Sequence, residues 1–342
     1  KELYYNMNKQ GLVTAGSTNH GTLYYSSDGV NFELSPEAAN LYGTEAKVYP
    51  TYYKLIGDAN HSDIGNGTDQ SAVYLPVTIK AKPVTSPEII VSPNVYAYDG
   101  TAKQPAVTVR DGGTVISTSE YTVEYKDNVN AGTATVILKD NPNGNYEISG
   151  TAPFSIIAQT PGVTPPTPIS GLIYNTVLQN LIMVGTAVGG TMEYSLDGTN
   201  FSTSIPQGKD AKQYAVYYHV KGDGNHEDTE PVMIYSTISP KTVSGPVISL
   251  SSTSLVYTGS ELKPEVTVKD GKTVIDPSEY TVEYSNNVNV GTGMVIIMDK
   301  SGGNYIVNGS TTFQIISADL GITPPTPKAN LVYNGQDQPL IE

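Results

Sequence analysis

The segment Ser119–Tyr125 reads SEYTVEY, and the same seven residues return at Ser278–Tyr284, 159 positions later. Within Tyr121–Tyr125 the side chains of Tyr121, Val123 and Tyr125 fall on one face of an extended chain, and those of Thr122 and Glu124 on the other. A period of two with one apolar face is the pattern of a half-buried β-strand. The 159-residue offset also superimposes Val107-Thr108-Val109 on Val266-Thr267-Val268 and Asn128-Val129-Asn130 on Asn287-Val288-Asn289. It further superimposes Gly144-Asn145-Tyr146 on Gly303-Asn304-Tyr305, and Thr164–Pro168 on Thr323–Pro327, both TPPTP. Repetition on this scale means that one structural module is used more than once. We term the module type B and place it at residues 83–158 and 242–317.

A second module, type A, precedes each B, at residues 1–80 and 167–239. Thr22–Phe32 (TLYYSSDGVNF) matches Thr191–Phe201 (TMEYSLDGTNF), and Gly57–Asp63 (GDANHSD) matches Gly222–Asp228 (GDGNHED). Leu331-Val332-Tyr333-Asn334 repeats Leu172-Ile173-Tyr174-Asn175 and Leu3-Tyr4-Tyr5-Asn6, so residues 325–342 read as the start of a further A. An isolated apolar strand cannot bury its face, so the protein is expected to continue beyond Glu342 with the rest of that repeat.

Asp111-Gly112 and Asp270-Gly271 fall between alternating runs and predict tight hairpins, as do Asp28-Gly29 and Asp197-Gly198 in type A. Val136–Leu138 and Val295–Ile297 are apolar on both faces, as in central strands. In Tyr214–Val220 the residues Tyr214, Val216, Tyr218 and Val220 point inward, and Ala215, Tyr217 and His219 outward. Pro50 lies where the second A has Ala215; it removes a ladder donor and predicts an edge or a bulge there. Residues 35–47 have room for one helical turn. Short strands with regular turn signals predict an all-β chain of small β-sandwiches. The proline-rich stretch Pro161–Pro168 reads as an extended, semi-rigid linker.

Composition narrows the function. The 342 residues carry 19 Lys and Arg against 33 Asp and Glu, a formal charge of −14, which opposes a phosphate-tracking surface and any nucleic-acid partner. With no Cys, disulfides, thiolate metal sites and thiol catalysis are excluded. No apolar run approaches the roughly 18–20 residues of a membrane span.

The B modules, with Tyr98-Asp99-Gly100, Tyr257-Thr258-Gly259 and the later Asn-x-Asn-x-Gly-Thr run, resemble bacterial Ig-like repeats of the YDG/MBG type. The A modules resemble companion repeats of the same proteins. Thr258 departs from the pattern where the first B has Asp99. The resemblance covers nearly the whole chain. It implies tandem Ig-like β-sandwiches in an elongated A-B-A-B array, a monomer on the bacterial surface or outside the cell. The implied role is that of a non-enzymatic stalk that spaces or presents adhesive or other modules. The alternative is direct binding of a glycan or host surface protein through loops or an outward Tyr face. Such repeats bring no established catalytic residues, and no cofactor is expected.

The motif Gly-Asp-x-Asn-His-x-Asp offers oxygen and imidazole ligands within a few residues. Its candidate metal ligands are Asp58, His61 and Asp63 in the first A, and Asp223, His226 and Asp228 in the second. The competing reading, which we adopt from sequence, is an Asx-type turn closing a hairpin, with stability indifferent to metal. Tyr52 and Tyr217 alternate outward and are candidates for stacking on sugar rings, against a cross-strand pair on an exposed face. Tyr121, Tyr125, Tyr280 and Tyr284 are assigned to the core. Glu124 and Glu283 point away from it, one per module, without a second carboxylate at a shared spacing. His20 and His219 have no counterpart in the other A, where Gly189 and Lys54 stand. Lys103, a conceivable isopeptide donor, aligns with Leu262.

Overall fold

In the computed structural model, which describes residues 2–65 and 72–341, the chain is all-β. Two short 3₁₀ turns, Thr118–Glu120 and Pro277–Glu279, interrupt the strands of the two B repeats. The chain divides into two compact units. Unit 1 is Lys1–Pro161 with Gly222–Glu227, and unit 2 is Gly162–Lys221 with Asp228–Glu342. Unit 1 thus holds the first A and B with the Gly222–Glu227 turn of the second A, and unit 2 holds the rest of the second A and the second B.

Each B is a sandwich of two sheets. In the first, Glu88–Ser92, Ala106–Asp111 and Thr114–Ile116 form an antiparallel sheet. Val95–Ala97, Tyr146–Ile157, Gly132–Asp140 and Tyr121–Lys126 form the other in that order. The hairpin after Ala106–Asp111 turns on Gly112 and Gly113, at φ 52° and 87°. Those left-handed conformations are what a two-residue turn matching strand twist requires. The second B repeats this arrangement with Val247–Leu250, Val266–Asp270 and Thr273–Val274 against Ser254–Val256, Gly309–Ile316, Gly291–Asp299 and Tyr280–Ser285.

The alternation sorts the side chains as the sequence predicts. Val109, Val136, Leu138 and Phe154 are buried between the sheets of the first B, and Val268, Val295, Ile297 and Phe313 between those of the second. Tyr121 and Tyr280 are each 5% exposed. Tyr125 and Tyr284 donate their hydroxyls to the carbonyls of Pro105 and Pro264, both at 2.7 Å, which satisfies the one polar atom each ring carries inward. Burial raises the pKa of all four phenols.

Type A is built from shorter strands. In the first copy Pro50 splits what is one strand in the second. Val48–Tyr49 pairs with Val77–Lys80, while Tyr52–Ile56 pairs with Thr22–Ser26 and Val73–Tyr74 in another sheet. The second copy, without the proline, runs unbroken from Gln213 to Gly222. Residues 36–40 form a single turn closed by Ala39 N–H to Ser35 O at 3.0 Å. The proline-rich stretch differs from a free linker. Gly162–Thr164 pairs with Thr186–Val188, and Thr167–Pro168 with Ile182–Met183, so its extended backbone is hydrogen-bonded into unit 2.

Each A is fastened to the B that follows it. The junction strands that lead from each A into its B are paired in parallel with the B: Lys82–Val84 with Tyr146–Ile148, and Lys241–Thr242 with Tyr305–Ile306. Asn145 Oδ1 accepts Ala46 N–H at 2.8 Å, and its Nδ2 donates to Glu120 Oε1 at 3.0 Å. Asn304 makes the same two bonds, from Ala211 at 2.7 Å and to Glu279 at 2.8 Å. Gly144 permits this approach, since a Cβ there would lie 2.8 Å from Glu120 Oε2. Tyr5 meets Tyr146 edge-on at 5.2 Å, and Tyr174 meets Tyr305 at 5.3 Å. In unit 2 a single apolar core runs through both repeats, from Tyr174 to Ile315.

Candidate functional site

The Gly-Asp-x-Asn-His turns follow directly from local sterics and hydrogen bonding. In the first, Asp58 Oδ1 accepts Asn60 N–H at 3.0 Å and contacts His61 Nδ1 at 2.6 Å. Asp63 Oδ1 accepts Gly57 N–H at 2.8 Å, which closes the turn. A Cβ on Gly57 would lie 2.0 Å from the His61 carbonyl oxygen, so the chain can return only over glycine. The second turn repeats this geometry. A Cβ on Gly222 would meet His226 O at 2.0 Å, and Asp223 Oδ1 accepts from Asn225 N–H at 3.0 Å and contacts His226 Nδ1 at 2.8 Å. Hydrogen bonds from the histidine side chains lower the pKa of both Asp58 and Asp223. The Asx-turn reading thus accounts for the motif's glycine, aspartates and asparagine.

The two turns differ in where the histidine goes. Thr22 pairs with Ile56, which sets residues 20 and 21 beside Gly57 and Asp58. His20 therefore stacks on His61, centroids 4.0 Å apart and planes 15° from parallel, and its Nδ1 lies 3.3 Å from Asp58 Oδ2. His20, Asp58 and His61 bring one ligand atom each within 4.8 Å of one another, all solvent-exposed. In the second turn His226 meets the Tyr98 ring edge-on at 5.5 Å, and its side chain is only 19% exposed. Asp228 pairs with Lys221 at 2.5 Å.

The outward tyrosines do not form open platforms. Tyr52 stands opposite Tyr74, centroids 5.3 Å apart, as a cross-strand pair rather than an open face for sugar stacking. Its ring also covers Gly29 of the Asp-Gly turn, as Tyr217 covers Gly198. Tyr52 and Tyr53 do line a cavity of about 180 Å³ in the first A, with Val13, Leu23, Tyr25 and Leu75. His219 contacts Glu193 at 3.2 Å and packs on Phe201 at 4.4 Å. Lys54, its counterpart, lies over Phe32 at 4.5 Å, so the two residues cap equivalent aromatic rings in the two A repeats. Glu124 is exposed and pairs with Lys139 at 2.6 Å.

Sequence reasoning missed three groups. His20 has Gly189 as its counterpart in the second A, and strand register alone brings it to Asp58. The Gly-Asn-Tyr repeat was recognised without its role as a fastener. Lys103 is 7% exposed and ion-pairs with Asp99 of the Tyr-Asp-Gly turn. The second B replaces both partners, Thr258 for Asp99 and Leu262 for Lys103, and Leu262 packs against the core. The departure at Thr258 is thus one half of a paired exchange. The signal was a charge lost together with its opposite, four residues away.

No protein-family model and no curated protein matches the chain. Among solved structures it is similar to protocadherin gamma B2 extracellular cadherin domains 3–6, at 12% identity over 93% of this chain and 99% of that one, with a TM-score of 0.23. It is also similar to the human desmocollin-1 ectodomain, at 12% identity over 96% and 80%, with a TM-score of 0.22. The S-layer protein rSbsC matches at 13% identity over 90% and 51%, with a TM-score of 0.19. Likenesses this weak carry no argument about this chain. Among the described residues, no helix is long and apolar enough to cross a membrane.

Proposed function

We propose that this chain is a load-bearing structural segment of an extracellular bacterial surface protein, built from repeats of the YDG/MBG type, that spaces or presents other modules without catalysing a reaction. One observation carries the reading. In all four repeats a strand near the start, termed here the opening strand although Glu88–Ser92 and Val247–Leu250 precede it in the B repeats, pairs in parallel with the closing strand: Leu3–Tyr4 with Ile79–Lys80, Val95–Ala97 with Ser155–Ile157, Leu172–Ile173 with Ile238–Ser239, and Ser254–Val256 with Gln314–Ile316. The residue just beyond each opening strand is a tyrosine. The N–H groups of Tyr5, Tyr98, Tyr174 and Tyr257 donate to Lys80, Ile157, Ser239 and Ile316 carbonyls, each at 2.9 Å.

When such a domain is pulled by its two ends, parallel strands near those ends are drawn past each other in opposite directions. Their hydrogen bonds lie across the pull and are loaded together, so they resist as a set. An antiparallel hairpin pulled at its open end loses its bonds one after another. Four repeats with one clamp geometry suit a segment that transmits tension. The test removes one clamp bond. Tyr257→Pro deletes the N–H that Ile316 accepts, and in single-molecule pulling one unfolding event should move to lower force. Unchanged forces, with the variant folded, would reject the reading.

A second reading, direct ligand binding, rests on the cavity at Tyr52 and Tyr53, whose walls are mainly apolar. A glycan microarray probed with the full chain tests it. Binding lost in Tyr53→Ala would establish it, and an empty array would remove it.

A further inference from the structure

We propose that His20, Asp58 and His61 form a binding site for a divalent transition-metal ion of the zinc type, present in the first A repeat and lacking in the second. The proposal stands apart from the load-bearing reading. The donor set is two imidazoles and one carboxylate, which suits zinc and its neighbours rather than calcium, an ion that takes six to eight oxygens.

The ligand atoms lie near enough together for such an ion, and the stacked rings must turn so that each in-plane Nδ1 lone pair points at it. Metal–ligand bonds of about 2.0–2.1 Å in a tetrahedron place ligand atoms roughly 3.3 Å apart. His20 Nδ1 and Asp58 Oδ2 are 3.3 Å apart. His61 Nδ1 and Asp58 Oδ1 are 2.6 Å apart, a proton-bridged contact that must open when the ion replaces the proton. Coordination needs a free lone pair on each Nδ1, so the bound form of each neutral ring carries its proton on Nε2. The remaining coordination positions go to water, since all three side chains are exposed.

The site is held from two directions. The backbone over Gly57 and the Asn60 N–H fix Asp58 and His61, and the pairing of Thr22 with Ile56 fixes the approach of His20. The imidazoles stack face to face beside one carboxylate, so neither is occupied in packing against the apolar core. The second turn is an internal control within the same protein. It keeps the Asp and His but has Gly189 in the place of His20, and its His226 is turned against Tyr98.

The experiment is calorimetric titration of the tag-free full chain with zinc chloride. One ion per chain is expected. His20→Gly, the residue the second repeat carries, should weaken binding about tenfold or more, and His226→Ala should leave it unchanged. No heat, two ions per chain, a His20→Gly variant that binds as tightly as the parent, or a loss on His226→Ala would each overturn the proposal. Should His20→Gly fail to fold, the imidazole carbon-bound proton resonances of His20 and His61 in the unaltered chain decide. They should shift together with zinc while those of His219 and His226 stay; no shift, or an equal shift of all four, overturns it.

Discussion

Replacing Asn145 with alanine tests whether A and B are fastened into one unit. The side chain makes two hydrogen bonds, one accepted from Ala46 in the A repeat and one donated to Glu120 in the B. Both partners outlive the substitution, and Ala46 N–H is left half-buried without its acceptor. Truncating one partner of such bonds costs about 1–3 kcal/mol, toward the lower end where water can reach the orphaned group. For a cooperative unit of this size, each kcal/mol lowers Tm by roughly 2–4 °C, so a drop of about 3–8 °C is expected. The assay is differential scanning calorimetry of the full chain. Asn145→Ala should move the transition of unit 1 and leave that of unit 2 in place, and Asn304→Ala should do the reverse. A shift below about 1 °C in both variants, or an equal shift of both transitions in either, would refute the fastening.

Three further outcomes follow from particular contacts. Asp99→Thr leaves Lys103 buried without its partner and should lower Tm, whereas Asp99→Thr with Lys103→Leu should restore it, since the second B is built that way; thermal melts of the three proteins check this. Gly57→Ala must displace the His61 carbonyl and should destabilise by about 2 kcal/mol or more, measured by urea unfolding. Hydrogen bonds from Asn31 and Asn200 hold the carboxyls of Asp28 and Asp197 well below the usual carboxylate range. A lowered folded-state pKa contributes stability that is complete above the unfolded value, near 4, and is lost as pH falls toward the folded one. Nuclear magnetic resonance titration should therefore give Asp28 a midpoint below an ordinary aspartate's, and an ordinary midpoint would contradict the turn geometry.

The strands were legible because each repeat exposes its alternation twice. Tyr121–Tyr125 and Tyr280–Tyr284 agree residue for residue, and both bury the predicted face. Asp111-Gly112 announced its hairpin one residue early, since Asp111 still pairs with Thr114 and the turn itself is Gly112-Gly113. What stayed hidden depends on register. Nothing local to His20 points to Asp58, and only the alignment of Thr22 with Ile56 joins them. Pro161–Pro168 looked like a linker because proline cannot donate, yet Val163 and Thr167 lie between the prolines and pair with neighbouring strands. Asn145 carried a repeated motif whose partner, Ala46, lies 99 residues earlier.

The central claim is that the four parallel clamps make this chain resist tension. Pulling the unaltered protein by its ends addresses it most directly. A repeat of about 75–80 residues should release roughly 250–280 Å of chain, and a whole A-B unit roughly twice that, at up to about 3.3–3.6 Å per residue. The account predicts abrupt ruptures with increments of one or other length, each preceded by a rise in force. Smooth lengthening at low force, without discrete ruptures, would contradict it.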